Sequence, residues 1–179
     1  SVNSEGDESD NSSGSPVISA DGRYVVFDSY ADNLVSDDLN EGNDIFLHDR
    51  QTGETTLVSV NSEGEQGDDE SYSADLSADG RYISFESYAC NLALESDCGN
   101  HIYVRDTQTG ETTLVSVNSA GDVGNDESYS ASLSADGRYI AFDSWADNLV
   151  PGDWNDNSDV FVHDHQSGMT TRVSHSSLG

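Results

Sequence analysis

The chain has 179 residues, with 35 Asp and Glu against 6 Arg and no Lys, a formal net charge of -29 and an isoelectric point near 4.1. A field of that sign repels nucleic acid and anionic membrane surfaces and attracts cations. No apolar run is long enough to cross a bilayer as a helix, and no signal peptide is visible.

High charge with modest hydrophobicity is also the composition of disordered chains. Here, however, Tyr, Phe, Val, Ile and Leu recur in short clusters between Gly- and Asp-rich turns, which is the pattern of ordered strands. The length is about one domain's worth. The chain starts at Ser1 without a methionine, and a processed or trimmed N-terminus is the simple expectation.

Laid over itself, the chain resolves into three repeats with a period of about 58 residues: 1–58, 59–115 and 116–173, with a tail at 174–179. Each repeat opens on "SVNSEG" or "SVNSAG" and reads as four short strands. Strand one is "PVIS", "ADLS" or "ASLS". An "ADG" turn follows, where Gly takes positive φ without steric penalty. Strand two is "RYVVFDS", "RYISFES" or "RYIAFDS". A longer acidic loop leads to strand three, "DIFLHD", "HIYVRD" or "DVFVHD". The turns "QTGE" and "QSGM" lead to strand four, "TTLVSV" or "TTRVS". No segment has helical periodicity.

Strand two is apolar on both faces, with Tyr24 and Val26 on one and Val25 and Phe27 on the other. A half-exposed sheet alternates apolar with polar, whereas a sheet held between two copies of itself does not. The pattern therefore predicts an all-β fold of three four-stranded antiparallel propeller-type blades. A β-solenoid is the alternative, but its rungs are usually much shorter than this repeat. Common propellers have at least about four blades. Three leave two large apolar faces open, which isolated soluble proteins avoid. Self-association is the expected remedy, by a two-chain, six-bladed ring or an open head-to-tail filament. A fragment of a longer propeller is the other possibility, since "SV" at the start matches the end of strand four elsewhere.

The elements "SADGRY", "F-D/E-S", "A-x-NLV-x-GD-x-N", "DVFV-x-D" and "Q-T/S-G-x-TTRVS" resemble the propeller repeats of the TolB-like, WD-repeat-like bacterial family. The resemblance covers all three repeats. It implies four-stranded blades, export from the cell and often a binding or scaffolding role, and it fixes no ligand.

In the acidic loop of the third repeat, "GDWNDNSDV", Asp153, Asn155, Asn157 and Asp159 stand at relative positions 1, 3, 5 and 7. Oxygen side chains at that spacing can wrap a hard cation such as calcium. The first repeat offers Asp38, Asn40 and Asp44, with Gly42 at position 5. Asp32 and Asp147 are candidate further ligands. Asp, Asn and Gly are also ordinary turn formers, and a lysine-free acidic surface also serves solubility in salt.

The second repeat breaks this pattern. Its loop is one residue shorter, His101 replaces the last Asp, and the chain's two cysteines, Cys90 and Cys98, fall here. His is a poor calcium ligand. The expectation is a disulfide tying the loop that a metal ties in the other repeats, which implies an oxidising compartment. Free buried thiols, or a transition-metal site with His101, are the alternatives.

Arg23, Arg81 and Arg138 recur in register, as do Asp28, Glu86 and Asp143 and also Asp49, Asp106 and Asp164, and they are read as arginine–carboxylate ties between strands or blades, since an active site is usually a single constellation. His48 and His163 share a position read as a solvated strand site. No nucleophile elbow, zinc-protease motif or phosphate loop is present, so no catalytic residue is assigned. Trp145 and Trp154, unique to the third repeat, are candidate sugar-stacking or packing residues. The sequence thus predicts a secreted, calcium-stabilised, non-catalytic propeller that self-assembles as an extracellular scaffold or filament. The alternative is a carbohydrate- or protein-binding module of the cell envelope.

Overall fold

The computed structural model describes all residues except Asp37, Glu95, Asp97 and 175–179, so the tail beyond Ser174 lies outside the described residues. Among the described residues, twelve strands form three four-stranded antiparallel sheets, one per repeat. Blade 1 holds β1 (Ser13–Ile18), β2 (Tyr24–Ser29), β3 (Asp44–Asp49) and β4 (Glu54–Leu57). Blade 2 holds β5 (Ser71–Leu76), β6 (Tyr82–Ser87), β7 (His101–Asp106) and β8 (Glu111–Leu114). Blade 3 holds β9 (Ser128–Leu133), β10 (Tyr139–Ser144), β11 (Asp159–Asp164) and β12 (Met169–Arg172). No helix occurs among the described residues.

Within each blade the strands pair in sequence order. Of the first strands, β5 meets β1 on one side and β9 on the other. These inner strands begin three residues earlier than the sequence clusters indicate. Ser15, Ser73 and Ser130 each adopt positive φ, and the register with strand two shifts there. Such a bulge bends the strand and increases its local twist.

Two apolar layers form between blades. Val26, Ile45, Leu47 and Val58 of blade 1 pack on Leu76, Ile83, Phe85 and Tyr103 of blade 2. Ile102, Val104 and Val115 of blade 2 pack on Ile140, Phe142, Leu149 and Phe161 of blade 3. Strand two of blade 1 is sandwiched on one side only: Val26 packs on blade 2, while Phe27 packs on Ala31, Leu34 and Phe46 of its own blade.

Short segments before each inner strand act as rim straps. Thr112 Oγ1 in β8 donates to the Val60 carbonyl at 2.6 Å, and Thr170 Oγ1 in β12 to that of Val117 at 2.5 Å. Each strap leaves the outer strand of one blade and fastens to the outer strand of the next. Thr55 Oγ1 makes the same bond to the Val2 carbonyl at 2.7 Å.

The arginine ties lie within blades. Arg23 grips Asp49 with Nε at 3.0 Å and Nη2 at 2.7 Å, and Arg81–Asp106 and Arg138–Asp164 repeat the fork. Each guanidinium also covers the ring of the tyrosine that follows it, at 4.7–4.8 Å. The planar fork matches a carboxylate, and the flat cation matches an aromatic face. Asp28, Glu86 and Asp143 take no arginine; Glu86 instead accepts from the Ser130 amide of the next blade at 2.8 Å.

The shared histidine position is enclosed in blade 3 and half-buried in blade 1. His163 is buried and its Nδ1 pairs with Thr170 Oγ1 at 2.9 Å, and burial holds its pKa below the ordinary value. His48 pairs with Thr55 in the same way. Sequence alternation does not reveal that the strap closes over this site.

Candidate functional site

The loop between strands two and three is fastened differently in each blade. In blade 1 the amide of Gln66, carried by the strap of the next repeat, bridges two carboxylates. Its Nε2 donates to Asp38 Oδ1 and Asp44 Oδ2, both at 2.8 Å, while its Oε1 accepts from the Leu39 amide at 2.7 Å. Asp44 is fully buried and also accepts from Ser59 Oγ at 2.5 Å. Burial pushes its pKa up to about 6, against the hydrogen bonds of Ser59 and Gln66. Burial likewise raises Asp38. Asn40 faces the strap, donating to the Gly67 carbonyl at 3.0 Å, and its Oδ1 takes the Gly42 amide at 2.9 Å.

In blade 2 the structure joins Cys90 to Cys98, with Cα atoms 4.6 Å apart. His101 stands where Asp44 stands in blade 1, and its Nδ1 pairs with Ser116 Oγ at 3.1 Å.

In blade 3 Arg172 takes the central place. Its Nη1 lies 2.7 Å from Asp153 Oδ1 and 3.1 Å from Asp159 Oδ2. Ser174 donates to Asp159 Oδ1 at 2.5 Å and Asn155 Nδ2 to Asp159 Oδ2 at 2.8 Å. Burial raises the pKa of Asp153; at Asp159 burial is outweighed by Ser174, Asn155 and Arg172, and the net shift is downward. Asn157 closes a local turn on Asn155, through its amide to Asn155 Oδ1 at 2.8 Å.

The sequence-predicted residues thus sort into separate groups. Asp38 and Asp44 converge on one point, as do Asp153 and Asp159. Asn155 joins the second pair through Asp159, and Asn157 does not reach it. Asp32 and Asp147 are exposed, and Asp147 is held by Asn125 Nδ2 at 2.8 Å. Among the described residues no three His, Cys, Asp or Glu side chains gather into a metal-holding group. The donor set therefore fits calcium unequally. In blade 1 a neutral amide fills the point between two carboxylates, and rotating that amide would present Oε1 as a further oxygen ligand. In blade 3 the point is already held by a cationic side chain.

Gln66 and Arg172 are the residues that sequence reasoning missed. Both break their repeat, standing where the other repeats have Glu8 and Val123, or Leu57 and Leu114. Trp154 is 87 % exposed beside a groove of about 580 Å³ that Asn118, Asn148 and Thr170 also line. Trp145 is half exposed on the open face of blade 3.

The sequence matches no protein-family model and no curated protein. The fold does have solved counterparts. It is similar to a prolyl endopeptidase (TM-score 0.58, 17 % identity, 95 % of this chain and 23 % of that one). It is similar to the β-propeller domain of the Trilobed protease from Pyrococcus furiosus, described as having an open velcro topology (0.55, 13 %, 90 % and 41 %). It is also similar to the putative TolB from Agrobacterium tumefaciens (0.52, 18 %, 87 % and 46 %). The chain therefore spans less than half the length of each of these proteins. At such identities the likeness shows the fold alone: three blades of a TolB-like β-propeller.

Proposed function

We propose that this chain is an exported, non-catalytic propeller protein that completes its ring by binding itself and serves as an extracellular scaffold. One observation carries the reading. The face that blades 1 and 2 bury in their neighbours is open in blade 3, where Val160 is 41 % and Val173 51 % exposed, while Ile45, Ile102, Val58 and Val115 at the same positions are buried. Open apolar faces of this kind mark association surfaces. The disulfide suits an oxidising compartment, periplasmic or outside the cell.

Calcium belongs to the proposal at the first-repeat loop, with Asp38, Asn40 and Asp44 as ligands and Gln66 turned to offer its oxygen. Binding there would relieve two carboxylates held against one amide group. In the third-repeat loop, calcium at Asp153, Asn155 and Asp159 must compete with Arg172, and Asn157 would have to leave its turn on Asn155 to join them.

Light scattering with calcium and after chelation tests both parts. The expected result is a particle of more than one chain that loosens in chelator. A monomer in both conditions would refute the self-assembly. The second reading, a sugar-binding module, is favoured by the exposure of Trp154 beside a mainly apolar groove that Asn118, Asn148 and Thr170 also line, since an exposed indole stacks readily on a sugar ring. A glycan array, with Trp154→Ala as the control, decides it.

A further inference from the structure

We propose that blade 3 of one copy docks head to tail on blade 1 of a second copy, so that two copies close a six-bladed ring. This rests on the self-assembly reading and specifies its interface. The two internal junctions give the pattern that the third must follow.

The first element of the pattern is a ring set on a glycine. A Cβ at Gly80 would run into the ring of Tyr24, and one at Gly137 into the ring of Tyr82. Each blade therefore presents a tyrosine after its "DGR" turn, and the next blade receives it on the turn glycine. Tyr139 of blade 3 has no such glycine and is 41 % exposed. Gly22 of blade 1 has no such ring; only Arg50 and Ile18 atoms lie near its Cβ direction, at 3.7 Å and 4.0 Å. Knob and socket are left over at opposite ends.

The second element is a backbone hydrogen bond with a direction, made between the turns that leave the inner strands. Ala20 N–H donates to the Ala78 carbonyl at 3.0 Å, and Ala78 N–H to the Ala135 carbonyl at 2.9 Å. Among the described residues, the Ala135 N–H has no acceptor and the Ala20 carbonyl no donor. One more step of the same bond joins Ala135 to Ala20 of a second copy.

The third element is apolar. Blade 3 leaves Val160 and Val173 open, as above. Blade 1 leaves Ile18 56 % exposed, whereas Leu76, at the same position inside the first junction, is buried.

The fourth element is an exchange of size near the axis. Tyr72 meets the Tyr30 hydroxyl across the first junction, and Tyr129 meets that of Tyr88 across the second. The corresponding end residues are Trp145 and Gly14. The tyrosine pair becomes a larger ring opposite no side chain, as a matched third junction requires.

These elements have a polarity, which makes the contact heterologous and excludes like faces pairing with like. Three blades from each copy give six, inside the usual range of closed propellers.

The test uses two single variants of the full chain, Ile18→Asp and Val160→Asp, each at an exposed position so that the blade itself folds; circular dichroism checks this. A charge buried at the junction should weaken association by roughly a hundredfold. Wild type is expected at twice 19.2 kDa and each variant alone at 19.2 kDa. An equal mixture should regain a two-chain particle, because Val160→Asp retains its blade 1 face and Ile18→Asp its blade 3 face. A wild-type monomer would overturn the self-assembly reading and this junction together, leaving the faces to other blades. A wild-type dimer that survives either substitution, or a mixture that stays monomeric, would overturn the junction alone. A polydisperse polymer would overturn closure by two copies.

Discussion

The Gln66 amide donates to Asp44 across 2.8 Å, and it does so from a different repeat of the chain. Asp44 is thus a buried carboxylate whose folded pKa, about 6, lies above its ordinary 3.8. The folded state binds this proton more readily than the unfolded state. Its contribution is fully present below about pH 3.8 and is lost as pH rises through about 6. In chelator, the melting temperature of wild type should therefore carry a downward component between pH 4 and 7. Asp44→Asn should remove that component. Thermal melts of the two proteins across the range check it, and identical profiles would contradict the assignment. Calcium at the loop should raise the wild-type melting temperature most at pH 7, where Asp44 is charged.

Asp106 works with the opposite sign. The Arg81 fork holds its pKa down to about 2. Its stabilisation is present above the ordinary carboxylate value and is lost as pH falls toward 2. In Arg81→Gln, an NMR titration should show Asp106 back near the ordinary value, and acid unfolding should begin at higher pH.

Joining Cys90 to Cys98 closes a loop of eight residues in sequence. In the chain-entropy model, losing it costs about 2–3 kcal/mol. Cys90→Ser with Cys98→Ser should lower the denaturant midpoint accordingly, with a slope equal to or slightly above that of wild type because the unfolded chain is less constrained. Intact mass before and after reduction gives an independent check, since the bond must take up two hydrogens.

The turn glycines separate internal from open junctions. Gly80→Ala and Gly137→Ala drive a methyl into a tyrosine ring at positive φ and should cost about 3 kcal/mol. Gly22→Ala meets only the φ strain in a single chain, about 1 kcal/mol. In the assembled ring its cost should rise toward that of the other two. Denaturation at protein concentrations above and below the association midpoint measures the difference.

Arg172→Leu restores the residue that blades 1 and 2 carry and leaves Asp153 facing Asp159 without a cation. A loss of about 2 kcal/mol is expected. Calcium should recover part of it in the variant and add little at this loop in wild type. Differential scanning calorimetry with and without calcium shows whether the arginine and the metal compete for one place.

A net charge of -29 on each copy opposes assembly. The screening length falls from about 30 Å at 0.01 M salt to about 10 Å at 0.1 M. Association measured by analytical ultracentrifugation should strengthen over that interval, the reverse of a contact built on ion pairs.

Much of the fold is legible in the sequence because the repeat supplies three readings of each element. β3, β7 and β11 begin and end where the clusters "DIFLHD", "HIYVRD" and "DVFVHD" do. The inner strands were harder to read. Their extra residues run through serines at positive φ, a conformation that no residue type at that position announces. The disulfide is legible from the loss of the acidic spacing around Cys90 and Cys98. The partners of the acidic loops are not. Gln66 reaches its loop from another repeat, and Arg172 from the far edge of its own sheet. Both show as breaks in the repeat once it is aligned, but a break carries no direction. His163 misleads for a related reason: the strap segment that helps bury it lies some fifty residues earlier.

Those straps also decide how the molecule bears load. The three bonds from Thr55, Thr112 and Thr170 to Val2, Val60 and Val117 run around the outer rim, while the apolar layers lie inside it. A chain loaded at its N-terminal end must break the Thr55 bond to Val2 before blade 1 can be drawn out. If the later straps hold the next blades in the same way, single-molecule force spectroscopy reads extension in steps of one repeat, about 58 residues, and a single rupture would contradict it.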